Sequence, residues 1–363
     1  MSPIKINIVL FGIGNVGSTL INQVIESQKF FLENKNIELR FPIITNSTLA
    51  FFENEEEINS WEANFSKLAI PFKIEDLIEY TKRQGFENLI AVDATASSQL
   101  VKSYSTLIEN DFHIVSANKI ANTLSFDFYK TIREKLKQYE KKYLYETNVG
   151  AGLPIINTVR DLHFSGDKIT KIKGVFSGSL SYIFNRFAAE DGLFSDILQD
   201  AEKLGYTEPD SREDLSGNDV ARKLLVLARE IGLEVEFSEI NITSLLLPNL
   251  NETHSKSEYA ISKNLFDEPY RIAKITQLEN HVLRYIGELD VEKNKLEVKL
   301  VSVPANSPLG QLKGAHSLFE IYSKSYVENP IVIQGAGAGK EVTARGVLTD
   351  ILRLSEINTK QLA

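Results

Sequence analysis

The stretch Gly12-Ile13-Gly14-Asn15-Val16-Gly17 constrains this chain more than any other. It fits the pattern G-x-G-x-x-G. It follows an apolar, β-branched run from Ile4 to Phe11, and it opens a segment from Val16 to Glu26 with apolar residues at helical spacing. The first glycine allows a tight turn, the second lets the backbone approach a pyrophosphate closely, and the third lets helix pack tightly on strand. The N-terminus of such a helix offers backbone N–H groups and partial positive charge to phosphates. Glycines at this spacing also occur in plain turns. The position between strand and helix is what favours dinucleotide binding by Gly12, Ile13, Gly14, Asn15, Val16 and Gly17.

Further strands are expected at Ile37–Thr45, Leu89–Ala94 and Phe112–Ser116, with helix signals between Phe126 and Lys142. Buried-type strands alternating with helices predict a parallel sheet covered on both sides, a Rossmann-type dinucleotide-binding domain over residues 1–148. The texture changes between Tyr143 and Pro154. Strand-like segments then appear at Ile169–Ser177, Val282–Leu289, Lys295–Val303 and Leu318–Tyr322, with helices at Phe194–Leu204 and Asn218–Ile231. This half, 149–330, reads as an α+β substrate domain. Residues 331–363, with the glycines from Gly335 to Gly339 and the helix after them, read as a return to the first domain. The fold class is therefore α/β with a second, α+β domain.

Length enters here, because 363 residues exceed one ordinary core and favour two domains. A net charge of −9 argues against a nucleic-acid footprint. The chain has no cysteine, which excludes disulfides, thiolate metal sites and a cysteine nucleophile. No apolar run approaches membrane-spanning length and no signal-like segment stands at the start, so a cytoplasmic location is expected. His113, His163, His254, His281 and His316 are scattered without metal-ligand spacing, and the acidic segment Glu53–Glu57 reads as solvated surface. The second strand ends in Ile43-Ile44-Thr45-Asn46-Ser47-Thr48, with no acid to read a ribose 2′-hydroxyl. That favours NADP over NAD, although no arginine stands nearby to clamp a 2′-phosphate.

The chemistry concentrates in Gly205-Tyr206-Thr207-Glu208-Pro209-Asp210 and in Arg212 to Lys223. Asp219 and Lys223 are i and i+4 on the expected helix and share a face. An isolated pair of this kind is ordinarily a surface ion pair. Here Glu208, Asp210 and Asp214 crowd the adjoining glycine- and proline-containing loop, which is costly unless a cation sits there.

With these residues in view, the chain resembles the homoserine dehydrogenase family across nearly its whole length. The matching stretches are the glycine loop, Ser116-Ala117-Asn118-Lys119, Glu146 to Pro154, Phe176 to Ile183, Gly205 to Lys223, and Gln334 to Gly339. The resemblance implies NAD(P)H-dependent reversible reduction of aspartate 4-semialdehyde to homoserine, in threonine and methionine biosynthesis. It implies that Glu208 and Asp219 hold the substrate ammonium, with Asp214, Tyr206, Gly178 and Ser179 lining the same site. Lys223 would protonate the aldehyde oxygen, with Lys119 a second active-site lysine near the nicotinamide. Thr95 and Gly339 would join the cofactor contacts. A monovalent cation, sodium, is implied at Glu146, Val149, Ala151 and Leu153, all through oxygen ligands suited to a hard ion. The family forms homodimers through the substrate domain, and Ile242–Leu247 is an apolar segment that suits either an interface or a core.

The segment Phe30–Lys73 departs from the family pattern, and it is where cofactor preference is decided. The resemblance ends near Leu354, which leads to the expectation of a short, monofunctional form without a regulatory module and with weak threonine feedback. Two rivals remain. One is a dehydrogenase of the same plan with another substrate; the other is a dinucleotide-binding sensor without turnover.

Overall fold

Where each strand falls follows from how its side chains are shared between two covered faces. The computed structural model describes residues 2–53, 60–251 and 255–361. In it, β1 (Ile4–Phe11) is buried at each of its last six positions, as a central strand with helices on both faces must be. It pairs in parallel with β2 (Ile37–Thr45) and with β5 (Leu89–Asp93), Ile8 lying opposite Ile90. β6 (His113–Ser116) and β7 (Tyr143–Leu144) extend the parallel sheet on the β5 side.

The sheet departs from the expected all-parallel form at its other edge. β3 (Leu49–Phe52) and β4 (Ile70–Pro71) add antiparallel to β2, giving the order β4-β3-β2-β1-β5-β6-β7. The cause is Asn46, whose side-chain oxygen accepts the N–H groups of Thr48 at 2.9 Å and Leu49 at 2.7 Å and turns the chain straight back. Three of the acidic residues after this hairpin, Glu55, Glu56 and Glu57, lie outside the described residues, as does His254.

The first helix runs Asn15–Lys35, well past Glu26, and buries Phe31 before ending at Asn36 in the left-handed region (φ 54°). The polar residues after Glu26 obscure the helical period in the sequence. The C-terminal helix, Lys340–Gln361, sets Ala344, Val347, Leu348, Ile351 and Leu354 into the same core as Leu20, Ile21 and Val24.

The chain divides into two units: Met1–Gly152 with Gly339–Ala363, and Leu153–Ala338. The second is built on a sheet of order β13-β12-β8-β10-β11-β9. Its strands are β8 (Ile169–Val175), β9 (Asn241–Ile242), β10 (His281–Asp290), β11 (Lys295–Pro304), β12 (His316–Ser323) and β13 (Ile331–Ala336). β13 corrects the expectation that 331–338 belong with the C-terminal segment: it pairs antiparallel with β12, Phe319 opposite Ile333. Leu245 is buried, so part of the Ile242–Leu247 segment is core. Two helices not marked by the sequence pattern, Ile155–Phe164 and Gly178–Ala189, belong to this unit. Among the described residues no helix is long and apolar enough to cross a membrane.

Candidate active site

In the first unit the chain leaves β1 through Gly12, whose φ of +93° suits glycine alone among ordinary residues. A Cβ on Gly17 would lie 1.9 Å from the Gly12 carbonyl oxygen, so this crossing requires glycine. Gly14, by contrast, faces open space within 4 Å. The helix starting at Asn15 has no side-chain cap, so its first turn presents backbone N–H groups to that space. Ile13 and Val16 pack on the core, while Asn15 is exposed.

Beside this turn, a cleft of about 740 Å³ opens past the carboxyl ends of β1, β2 and β5, lined by Phe11, Thr45, Asn46, Ser47, Lys73 and Thr95 among others. This is where an open α/β sheet takes its ligand. The buried Thr45 hydroxyl lies there without a partner among the described residues. A cradle that only glycine permits, open space before it and an orphaned hydroxyl together fit a dinucleotide. Of the other expected cofactor contacts, Lys119 follows Asn118 at the start of the Ile120–Thr123 helix. Gly339 (φ +120°) opens the C-terminal helix and is not among the cleft's lining residues.

In the second unit the helix Asn218–Glu230 starts at Gly217 (φ +77°), where a Cβ would meet the Tyr285 hydroxyl at 2.1 Å. Its first turn carries Asp219, and one turn on Lys223 Nζ lies 2.9 Å from Asp219 Oδ2. Lys223 also donates to the Phe176 carbonyl at 2.9 Å, and its side chain is only 13% exposed. That burial separates it from the surface pair the spacing alone suggested.

A pocket of about 250 Å³ contains Glu208, Asp214 and Asp219, with Ser177, Glu213 and Arg222. Asp214 is held by the Ser179 hydroxyl at 2.6 Å on one oxygen and by the Glu208 backbone N–H at 2.9 Å on the other. Burial pushes its carboxyl above the ordinary range; the two hydrogen bonds oppose this and the nearby Asp219 charge adds to it. Asp210 turns away from the shared role that the crowded loop suggested, because Arg212 neutralises it at 2.6 Å.

Gly178 and the buried Ser179 start the Gly178–Ala189 helix, capped by Ser177. The Ser177 hydroxyl lies 2.8 Å from that of Ser179. Sequence reasoning missed Ser177, although a serine just before a helix is a capping signal. Tyr206, 45% exposed, stacks on Tyr182 with ring centroids 4.3 Å apart.

The expected cation ligands Glu146, Val149 and Ala151 fall in one turn of the first unit, shaped by positive φ at Gly150 (76°) and Ala151 (54°). Glu146 is buried; its N–H donates to Asp350 at 2.9 Å, and its carboxylate lies 3.6 Å from the Arg353 guanidinium. Leu153 begins the second unit, and its carbonyl accepts from Ile155 N–H at 2.9 Å. Among the described residues no group of three or more His, Cys, Asp or Glu side chains could hold a metal. A cation in the Glu146–Ala151 turn would rest mainly on carbonyl oxygens, a donor type suited to a hard monovalent ion.

A Rossmann-type dinucleotide unit joined to an α+β unit with an acidic pocket beside a largely buried lysine defines the class of this protein. Sequence comparison then narrows it. The homoserine dehydrogenase profile matches residues 154–352, and that of the homoserine dehydrogenase NAD-binding domain matches 12–146. The chain belongs to the homoserine dehydrogenase family. It is 42% identical over 352 residues, 96% of its length, to a bifunctional aspartokinase/homoserine dehydrogenase of Buchnera aphidicola, of which it covers 42%. The chain spans about two fifths of the length of the curated relatives it matches.

Among solved structures, a protein of unknown function from Candida auris superposes with a TM-score of 0.89 at 33% identity, covering 97% of this chain and 98% of that one. A hyperthermophilic archaeal homoserine dehydrogenase in complex with NADPH gives a TM-score of 0.74 at 22% identity, with 97% and 98% coverage, which shows the shared fold.

Proposed function

We propose that the chain catalyses the reversible, nicotinamide-dependent reduction of aspartate 4-semialdehyde to homoserine. The observation that carries this reading is the acidic pocket beside a largely buried lysine: Glu208, Asp214 and Asp219, with Lys223 bound to Asp219 at 2.9 Å. Glu208 and Asp219 bind and orient the substrate ammonium. Asp214 lines the same pocket, and the Ser179 hydroxyl and the Glu208 N–H fix its orientation while each oxygen keeps a lone pair toward the ligand. Two of the three N–H directions of Lys223 are taken by Phe176 O and Asp219, which leaves one for the substrate oxygen. Lys223 thereby donates the proton as the alkoxide develops. When bound, the reduced nicotinamide supplies the hydride. Lys119 is the second lysine assigned to the active site, with a supporting role.

NADP is the proposed cofactor, with NAD as the alternative. Support comes from the absence of an acid at the end of β2 and from Lys73, which lines the same cleft as Asn46 and Ser47 and brings positive charge to where a 2′-phosphate would lie. A monovalent cation, sodium, is proposed at Glu146, Val149, Ala151 and Leu153. A homodimer through the second unit is proposed with it. There the sheet face away from Gly287, Phe176 and Val220 carries a self-complementary charge pattern, with Lys173–Glu320 at 3.0 Å and Lys171–Asp290 at 3.8 Å.

The test is Lys223→Ala assayed with homoserine and NADP. Turnover is expected to fall by about a thousandfold, a loss typical of removing a positioned acid–base group, while NADPH affinity stays within about twofold. Turnover close to that of the parent chain would remove Lys223 from the mechanism.

A further inference from the structure

The first unit contains a buried carboxylate that the reaction itself does not use. Asp93 ends β5, is 1% exposed, and no arginine, lysine or histidine is within ion-pair reach of it among the described residues. Four donors converge on it. One oxygen accepts the Thr95 backbone N–H at 2.8 Å and the Thr95 hydroxyl at 2.7 Å. The other accepts the Tyr104 hydroxyl at 2.7 Å and the Asn118 side-chain amide at 3.0 Å. Burial pushes this carboxyl up and the hydrogen bonds pull it down. Because every partner donates, the arrangement fits the ionised, acceptor-only carboxylate.

We propose that Asp93 is the positioning residue of the cofactor site, tying the Thr95 turn to the Asn118–Lys119 turn and fixing the Thr95 hydroxyl as a hydrogen-bond acceptor toward the cofactor. The inference rests on the reading of this unit as a nicotinamide-dinucleotide site. The proton of Thr95 Oγ is committed to Asp93 and one lone pair takes Ser97 N–H at 3.0 Å, so what it offers the cleft is a second lone pair, suited to a ribose hydroxyl or a carboxamide N–H. The Asn118 amide extends the same tie. It donates to the Ser97 carbonyl at 3.1 Å as well as to Asp93, and its oxygen caps Ile120 N–H at 3.1 Å. Lys119 lies between those anchors, and its backbone direction is set by them. Ser116 Oγ closes the turn from below, accepting Asn118 N–H and donating to Asn118 O, both at 2.9 Å.

The experiment compares Asp93→Asn, Asn118→Ala and Tyr104→Phe in the full chain. It reads NADPH affinity by fluorescence titration, kcat, KM for aspartate semialdehyde and thermal midpoint. In Asp93→Asn one oxygen becomes a donor facing donors, so NADPH affinity and kcat are each expected to fall about tenfold, the size of one charge-assisted hydrogen bond, with the aldehyde KM within about threefold. Asn118→Ala keeps three of the four donors on Asp93 and should lower kcat more than NADPH affinity. Tyr104→Phe removes the other donor from the oxygen that Asn118 bonds, so it should lower the thermal midpoint and reduce NADPH affinity and kcat, each by less than Asp93→Asn does. A folded Asp93→Asn chain with both parameters at the parent level would overturn the proposal. If that variant fails to fold, parent-level kcat in Asn118→Ala overturns it. If the parent chain itself does not bind NADPH, the failure belongs to the dinucleotide reading instead.

Discussion

Ser179 and Asp214 show how a residue's role follows from what its atoms already hold. Both oxygens of Asp214 are engaged, by Ser179 and by the Glu208 N–H, and these bonds oppose the upward push of burial on its carboxyl. Ser179→Ala removes one of the two bonds and is expected to cost about 1–3 kcal/mol of stability, read as a lower urea midpoint. It should also weaken the Glu208 loop, raising the KM for the aldehyde more than it lowers kcat; Ser179→Thr, which keeps the hydroxyl, should retain most of both. His113 provides a pH test at the same scale. Burial and the Lys141 charge lower it to about 4, and its Nδ1 accepts the Lys142 N–H at 3.0 Å. A histidine that stays neutral in the folded chain leaves the unfolded chain to take up the proton first. Stability therefore falls as pH drops from about 6.5 toward 4, by at most about 3 kcal/mol. In His113→Gln that part of the acid sensitivity should disappear; an unchanged pH profile of the urea midpoint would contradict the assignment.

At the scale of elements, the glycine turn separates two jobs that its motif merges. Gly17→Ala would place a Cβ 1.9 Å from the Gly12 carbonyl and is expected to disrupt folding of the first unit. Gly14→Ala puts its Cβ into open space, with φ at an ordinary −68°, so the thermal midpoint should hold while NADPH affinity falls about tenfold or more. Equal loss of stability in both variants would contradict the distinction. The turn and its strand were legible in the sequence, because a central strand is mostly apolar and β1 begins and ends where that run does. β2 was legible from its apolar second half, Phe41–Thr45, after the alternating Ile37-Glu38-Leu39-Arg40. The antiparallel hairpin after it was not, since it depends on the Asn46 side chain accepting two backbone N–H groups, a local bond with no periodicity. The helix Gly178–Ala189 carried no marked period in the sequence, and the two residues named there for the site, Gly178 and Ser179, are its first turn.

For the whole molecule, the chain is one α/β unit interrupted by an α+β unit, and the return crossing is made after β13 at Gly339. The composition and the alternation of elements conveyed the two units. The crossing point was misjudged by eight residues, because the short alternating strand Ile331–Ala336 borders a glycine-rich run that reads as a linker. The site residues divided in the same way. Asp219 and Lys223 followed from spacing on one helix, whereas the dependence of Asp214 on Ser179 needs residues 35 positions apart. Sedimentation of the purified chain should give a dimer, and reversal of Lys173 to glutamate, opposite Glu320, should weaken it; a monomer at micromolar concentration would contradict that proposal. The most direct test of the central claim is the oxidation of NADPH and, in parallel, NADH by the purified chain with aspartate semialdehyde. The account predicts rapid oxidation, faster with NADPH, that is lost in Lys223→Ala. No oxidation of either cofactor, with NADPH still bound, would contradict it.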